Sequence, residues 1–97
     1  FRFTGPNTTD ETEDASNVII TTATSDGTQH FNGKVIFADI DATASDISIV
    51  GCNGTTEDVF TIVNAGHYDV TCVAQDGDIW RISGIVASDT TPTFGTS

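Results

Sequence analysis

The residues of this chain best suited to covalent chemistry are its two cysteines. Cys52 and Cys72 lie 20 positions apart, without a CxxC motif or a third thiol, so a zinc site or a thioredoxin-like centre has almost no support. They are either two buried thiols or one disulfide. In the chain-entropy model, a disulfide that closes a loop of about 20 residues contributes roughly 3 kcal/mol. Because a small, highly charged domain gains from such a crosslink, we expect a Cys52–Cys72 disulfide and an oxidising, extracellular environment.

The histidines give little reason to expect catalysis. His30 and His67 are the only imidazoles, and each lies beside a turn, where a solvated histidine is common. His67 and Asp69 would share one side of a strand, but a triad also needs a nucleophile held against its base. Among 11 aspartates, adjacency alone does not identify a pair of glycosidase carboxylates. We therefore expect that the protein is not an enzyme.

Closely spaced aspartates leave calcium as the one cofactor to consider. Ca²⁺ binds six to eight oxygens, which aspartates and loop carbonyls can supply. One candidate cluster contains Asp39, Asp41 and Asp46, and a second contains Asp76 and Asp78. Neither matches the EF-hand pattern. The alternatives are a solvated strand end for the first cluster and a hairpin turn for the second.

Carbohydrate binding would require exposed aromatic rings. Tyr68 and Trp80 are the candidate platforms, although both lie within an apolar alternation that favours a place in the core. Asn7 and Asn53 begin Asn-x-Thr patterns, which permit glycosylation in a secreted protein.

Three phenylalanines near the ends of the chain are candidate assembly anchors. Phe1 and Phe3 precede an acidic, threonine-rich stretch, and Phe94 lies in a second polar segment. Apolar side chains on polar arms either fold back on their own domain or dock on a neighbouring subunit. The second arrangement would resemble fibres in which one chain adds a strand to the sheet edge of the next.

The charge of the chain disfavours two classes of partner. Fourteen acidic residues face three basic ones, Arg2, Lys34 and Arg81, which gives a formal net charge of −11. Nucleic acid is disfavoured because too few cations are present to neutralise phosphates, and an anionic membrane surface is disfavoured for the same reason. No apolar run is long enough to span a bilayer. The many aspartates and threonines, with a single lysine, resemble the composition of proteins from halophilic or marine organisms.

The elements that must position these residues are predicted to be strands. We divide the chain into a flexible arm (1–16), a β domain (17–87) and a tail (88–97). No window has a helical apolar stripe, whereas β-branched segments and turn residues alternate about every ten positions. Asn32-Gly33 is the best signal for a two-residue hairpin. The predicted strands are 18–23, 29–31, 34–40, 46–50, 58–63, 68–74 and 78–86.

These patterns predict an all-β fold of six to seven short strands with one disulfide. We expect a small antiparallel sandwich, Ig-like or pilin-head-like, or a partly open barrel. The expected inward pairs are Ile47 and Ile49, Phe60 and Ile62, Val70 and Cys72, and Trp80 and Ile82. Some strands, such as the one with Ile79 and Ile85, are apolar on both sides, which predicts either burial on both faces or a surface that a neighbouring subunit covers.

The sequence therefore predicts a non-enzymatic structural subunit of an extracellular assembly, such as a filament, a pilus-like fibre or a virion surface. Its partners would be copies of itself or a companion subunit, with no membrane span. The alternative is a secreted carbohydrate-binding or adhesive module, stabilised by calcium.

Overall fold

Every regular element in the described part of the chain is a β-strand, as the sequence predicts. The computed structural model describes residues 1–5, 17–22, 28–39, 46–63, 66–88 and 90–96. Its strands are β1 (Arg2–Gly5), β2 (Val18–Thr21), β3 (His30–Asp39), β4 (Asp46–Gly51), β5 (Val59–Ile62), β6 (His67–Ala74), β7 (Ile79–Ser88) and β8 (Thr93–Gly95). These eight strands of the described residues exceed the predicted number because β1 and β8 form in the terminal segments.

The strands form two sheets rather than a closed barrel. One sheet has five strands in the order β1-β6-β7-β3-β4, and the other has three in the order β2-β5-β8. The pairing is antiparallel throughout, except that β3 and β7 run parallel in the middle of the larger sheet. The larger sheet is therefore mixed, not purely antiparallel as predicted.

The predicted hairpin at Asn32-Gly33 is wrong, because β3 runs through both residues without a turn. Gly33 has a φ of 118°, which side chains other than glycine rarely adopt, and a Cβ atom there would collide with the carbonyl oxygen of Ile82 in β7. Glycine is needed at this position because two backbones approach closely, not because the chain reverses.

The core lies between the two sheets. Buried side chains of the larger sheet, such as Val70 and Ile82, face Phe60 and Ile62 of the smaller one. An edge-to-face contact between Phe31 and Phe94, with ring centroids 6.1 Å apart, joins the sheets. The inward pairs predicted on β5 and β6 are confirmed.

The inward pair predicted on β4 is wrong. Ile47 and Ile49 are 70% and 66% exposed, on the side of the sheet away from the core. Alternation shows that two residues share a side of a strand, but it cannot show which side is covered. Trp80 and Ile82 share the inner side of β7, where Ile82 is fully buried and Trp80 half-buried.

The predicted disulfide is also wrong, since both cysteines are free thiols. In the larger sheet, Cys72 pairs with Ile82, which in turn pairs with Gly33. The Cys52 amide donates to the Gly33 carbonyl at 3.3 Å. Three steps between strands of about 4.8 Å place the two Cα atoms about 14 Å apart, whereas a disulfide requires about 4.4–6.8 Å.

The terminal phenylalanines contact their own domain to different degrees, since Phe1 is 79% exposed and Phe3 36%. Phe3 lies opposite Val70 on the inner side of the larger sheet, and Phe1 contacts the Trp80 ring at a centroid distance of 5.9 Å. Phe94 packs on Phe60 at 4.7 Å. The ends of the chain therefore contribute strands and apolar contacts to the two sheets.

Candidate functional site

The most distinctive surface of the described residues is the outer face of the five-stranded sheet. We define the outer face as the side chains of this sheet that point away from the core. They belong to every second residue of each strand. The outward residues include Arg2 in β1, Ile36 in β3, Ile49 in β4, Asp69 in β6 and Ile85 in β7. Ile36 is 46% exposed and Ile85 48%, and Ile47 and Ile49 are more exposed still. An exposed apolar surface of this kind is typical of an interaction site.

The strand register makes these isoleucines neighbours. Ile85 of β7 pairs with Ile36 of β3, and Ile36 pairs with Ile49 of β4. Side chains that lie opposite each other on one face of a sheet are about 5 Å apart at Cβ. The three side chains therefore form a continuous apolar row, and Ile47 extends it along β4.

Two shallow hollows lie beside this row. Their volumes are about 480 and 290 Å³, and Ile36, Ser83 and Gly84 line both. The hollows lie beside Ser83, whose outward side chain is short. Protruding side chains of another molecule could enter these hollows.

All three basic residues of the chain lie on the outer face. Arg2, Lys34 and Arg81 occupy outward positions in β1, β3 and β7. Asp69 is the only carboxylate at an outward position among the described strands of this sheet. The outer face thus carries a formal charge of +2 in a chain whose net charge is −11.

Arg2 and Asp69 form a bidentate ion pair at one end of the apolar row. The Arg2 Nε donates to Oδ1 at 2.9 Å and its Nη2 to Oδ2 at 2.6 Å. These hydrogen bonds lower the pKa of the Asp69 carboxyl and raise that of the guanidinium. Because both groups are exposed, the pair adds little stability. Asp69, which the sequence offered as a partner for His67, therefore has both carboxylate oxygens engaged by Arg2.

The predicted ligand platforms lie on the opposite side of the sheet. Trp80 and Tyr68 are half-buried at inner positions of β7 and β6. Trp80 lines an apolar cleft of about 350 Å³ between the sheets, whose walls include Phe1, Ile20 and Phe31.

The described residues contain no group of three or more potential metal-binding side chains, and they include only part of the first predicted calcium cluster. Asp39 and Asp46 are paired at the ends of β3 and β4, and Asp41 lies outside the described residues. In the β6–β7 turn, the Asp76 carboxylate accepts hydrogen bonds from the amides of Asp78 (2.8 Å) and Ile79 (3.1 Å). Its role there is to close the turn.

The structure describes one of the two predicted glycosylation sites. Asn7 lies outside the described residues. Asn53 is exposed, and its Oδ1 accepts hydrogen bonds from the amides of Thr55 (2.9 Å) and Thr56 (3.0 Å). Asn53 therefore organises the loop between β4 and β5.

The thiols are buried to different degrees. Cys72 lies in the core, and the half-buried Cys52 donates from Sγ to the Gly33 carbonyl at 3.3 Å. Loss of solvent raises the pKa of both thiols.

Sequence reasoning did not identify the outer face as a site. One signal was present, since Ile79 and Ile85 marked a strand that is apolar on both sides. The clustering of Arg2, Lys34 and Arg81 had no such signal, because 32 or more positions separate each from the next and only strand order brings them together.

Comparison with known proteins finds no matching family model, no matching curated protein and no matching solved structure. Among the described residues, no helix has the length and apolar character needed to cross a membrane.

Proposed function

We propose that this chain is a non-enzymatic structural subunit of an extracellular assembly, such as a filament, a pilus-like fibre or a virion surface. The observation that carries the proposal is the apolar row of Ile36, Ile49 and Ile85 on the outer face. These side chains are 46–66% exposed although they lie within paired strands of a sheet. Covering them would release apolar surface from water, at about 25 cal/mol per Å².

The terminal phenylalanines play a smaller part in this proposal than the sequence suggested. Phe3 and Phe94 face their own domain, so assembly through them would require β1 or β8 to detach, whereas Phe1 is 79% exposed and could contact a neighbour as it stands. Packing of the outer face requires no such rearrangement. The proposal therefore rests on contacts between folded domains, with the terminal strands as part of each domain.

The extracellular location is supported by composition rather than by a disulfide. The net charge of −11 makes separate copies repel one another in dilute buffer. Salt reduces the Debye length from about 10 Å at 0.1 M to about 3 Å at 1 M, which relieves this repulsion. A saline exterior is therefore the environment in which such a subunit would assemble most readily.

Sedimentation velocity and negative-stain electron microscopy of the 97-residue chain test this function. We expect species larger than a monomer, increasing with protein concentration, in 1 M NaCl. A chain that stays monomeric up to about 1 mM protein at every salt concentration, a range that detects even weak association, would overturn the proposal.

A carbohydrate-binding or adhesive module is the second candidate, favoured by the cleft beside Trp80. Its volume of about 350 Å³ and its aromatic walls suit a small ligand that stacks on a ring. Binding of neutral glycans at this cleft should change the fluorescence of Trp80, the single tryptophan. A spectrum unchanged by glycans at millimolar concentration would exclude this candidate.

A further inference from the structure

We infer that the outer face binds the acidic surface of a second copy of this chain, in a head-to-tail contact that can repeat. The inference rests on the proposed function and names the surface and the partner through which assembly would proceed. Two observations support it, the apolar row and the positions of Arg2, Lys34 and Arg81 on the same face.

The partner is identified by charge. The outer face holds Arg2, Lys34 and Arg81 against the single carboxylate of Asp69, which Arg2 already neutralises. The other 13 of the 14 acidic residues occupy other positions of the sequence, which holds no further lysine or arginine. Each copy thus has a cationic face and an excess of carboxylates elsewhere, which are complementary to one another.

Charge also selects the symmetry of the contact. Two copies that packed outer face against outer face would bring Lys34 and Arg81 of one copy against the cations of the other. A contact between the outer face and a different surface avoids this repulsion. Because such a heterologous contact leaves one binding surface free at each end, it extends into a polymer or a ring.

The size of the outer face is adequate for a specific contact. Five strands at about 4.8 Å, with ten residues in the longest at about 3.3 Å each, span at most roughly 24 by 33 Å. This corresponds to roughly 800 Å², the area that one partner contributes to an interface of standard size. The isoleucine row runs from β7 to the edge strand β4, with Lys34 and Arg81 beside it and Arg2 at the other edge of the sheet, so apolar and cationic groups adjoin on this face.

Paired isoleucine variants test the surface. In 1 M NaCl, Ile36→Ser combined with Ile49→Ser should weaken self-association by about tenfold or more, measured by sedimentation velocity. Ile19→Ser is the matched control, because Ile19 is 61% exposed but lies on β2 of the other sheet. Far-ultraviolet circular dichroism establishes that each variant is folded. If the wild type assembles and the double variant assembles equally well, the inference is overturned while the proposed function stands.

A charge reversal tests the acidic partner. Lys34→Glu should weaken association at 0.15 M NaCl, and the deficit should shrink towards 1 M as the interaction is screened. The control with the same net charge is Thr21→Glu combined with Thr93→Glu, since both threonines are exposed on the three-stranded sheet. Equal weakening in the two variants would attribute the effect to net charge alone and overturn the assignment of an acidic partner.

A mixing experiment tests the head-to-tail arrangement. The Ile36→Ser, Ile49→Ser variant keeps its acidic surface, so one copy can bind the exposed outer face at a polymer end and stop growth. We expect one part of variant in ten of wild type to shorten the assemblies seen by electron microscopy. Wild-type dimers that do not grow with concentration, or assemblies whose length the variant leaves unchanged, would overturn the head-to-tail contact. A wild type that never associates overturns the proposed function itself.

Discussion

The two faces of the five-stranded sheet have nearly the same apolar content along β3 and β7 but opposite relations to solvent. Val35 and Phe37 are 1% and 4% exposed, whereas Ile36 between them is 46% exposed. In β7, Ile82 is fully buried and Ile85 is 48% exposed. The comparison shows that hydrophobicity alone does not define the core of this domain. The inner face is closed by the second sheet, and the outer face is apolar without any described element packed over it.

Charge separates the same two faces. All three cations point outward from the larger sheet, while the described inner positions of its central strands hold apolar side chains in the middle of the sheet. A surface selected only for solubility in an acidic protein would carry carboxylates at these outward positions. The outer face instead has the properties expected of a binding surface, and the inner face those of a core.

The largest difference in the free energy of unfolding is expected between two alanine variants of β7, one on each face of the strand. Ile82→Ala should lower the free energy of unfolding by about 2–5 kcal/mol, because it leaves a cavity between the sheets. Ile85→Ala should lower it by about 1 kcal/mol or less, since nearly half of the side chain is already in water. Urea denaturation in dilute protein measures both values. Equal losses in the two variants would show that an unseen element covers the outer face within a single copy.

The next largest difference in stability is expected between variants of two adjacent residues of β6. Cys72 lies on the inner face and Val73 on the outer face. Cys72→Ser should cost about 1–3 kcal/mol, because a hydroxyl enters an apolar site without a partner. Val73→Ser, at a position 57% exposed, should change stability by at most about 0.5 kcal/mol. Thermal denaturation measures both.

Thermal denaturation also tests whether the two cysteines are bonded. The Tm of the wild type should not change when a reductant is added, because Cys52 and Cys72 are not bonded. A Tm that falls on reduction would contradict the pairing of strands described above, since it would require β4 and β6 to approach each other.

Local sequence patterns predict most of the strands of this fold. The features that they do not predict depend on pairing between strands that are far apart in the sequence. The alternation of Phe60 with Ile62 and of Val70 with Cys72 identifies inward residues correctly, because the apolar side of each of these strands faces the other sheet. The same pattern in Ile47 and Ile49 was misread, because β4 is an edge strand and its apolar side faces away from the second sheet. The parallel pairing of β3 with β7 has no local signal. Without that strand order, neither the separation of the cysteines nor the clustering of the cations could be predicted.

The smallest effect should come from the ion pair at the rim of the outer face. Arg2 lowers the pKa of Asp69 in the folded chain, so the pair stabilises the fold above the pKa of an unfolded aspartate, about 3.9, and loses this contribution as the pH falls through the lower folded value. Asp69→Asn should therefore have a slightly lower Tm than the wild type at pH 7, with the difference closing at acid pH. Asp78→Asn removes the same charge from the β6–β7 turn and should show no such loss. Because the pair is exposed, 1 M NaCl should also close the difference at pH 7. A deficit that persists at high salt and at low pH would mean that Asp69 supports β1 by packing, and the rim of the outer face would then be part of the fold rather than of a binding surface.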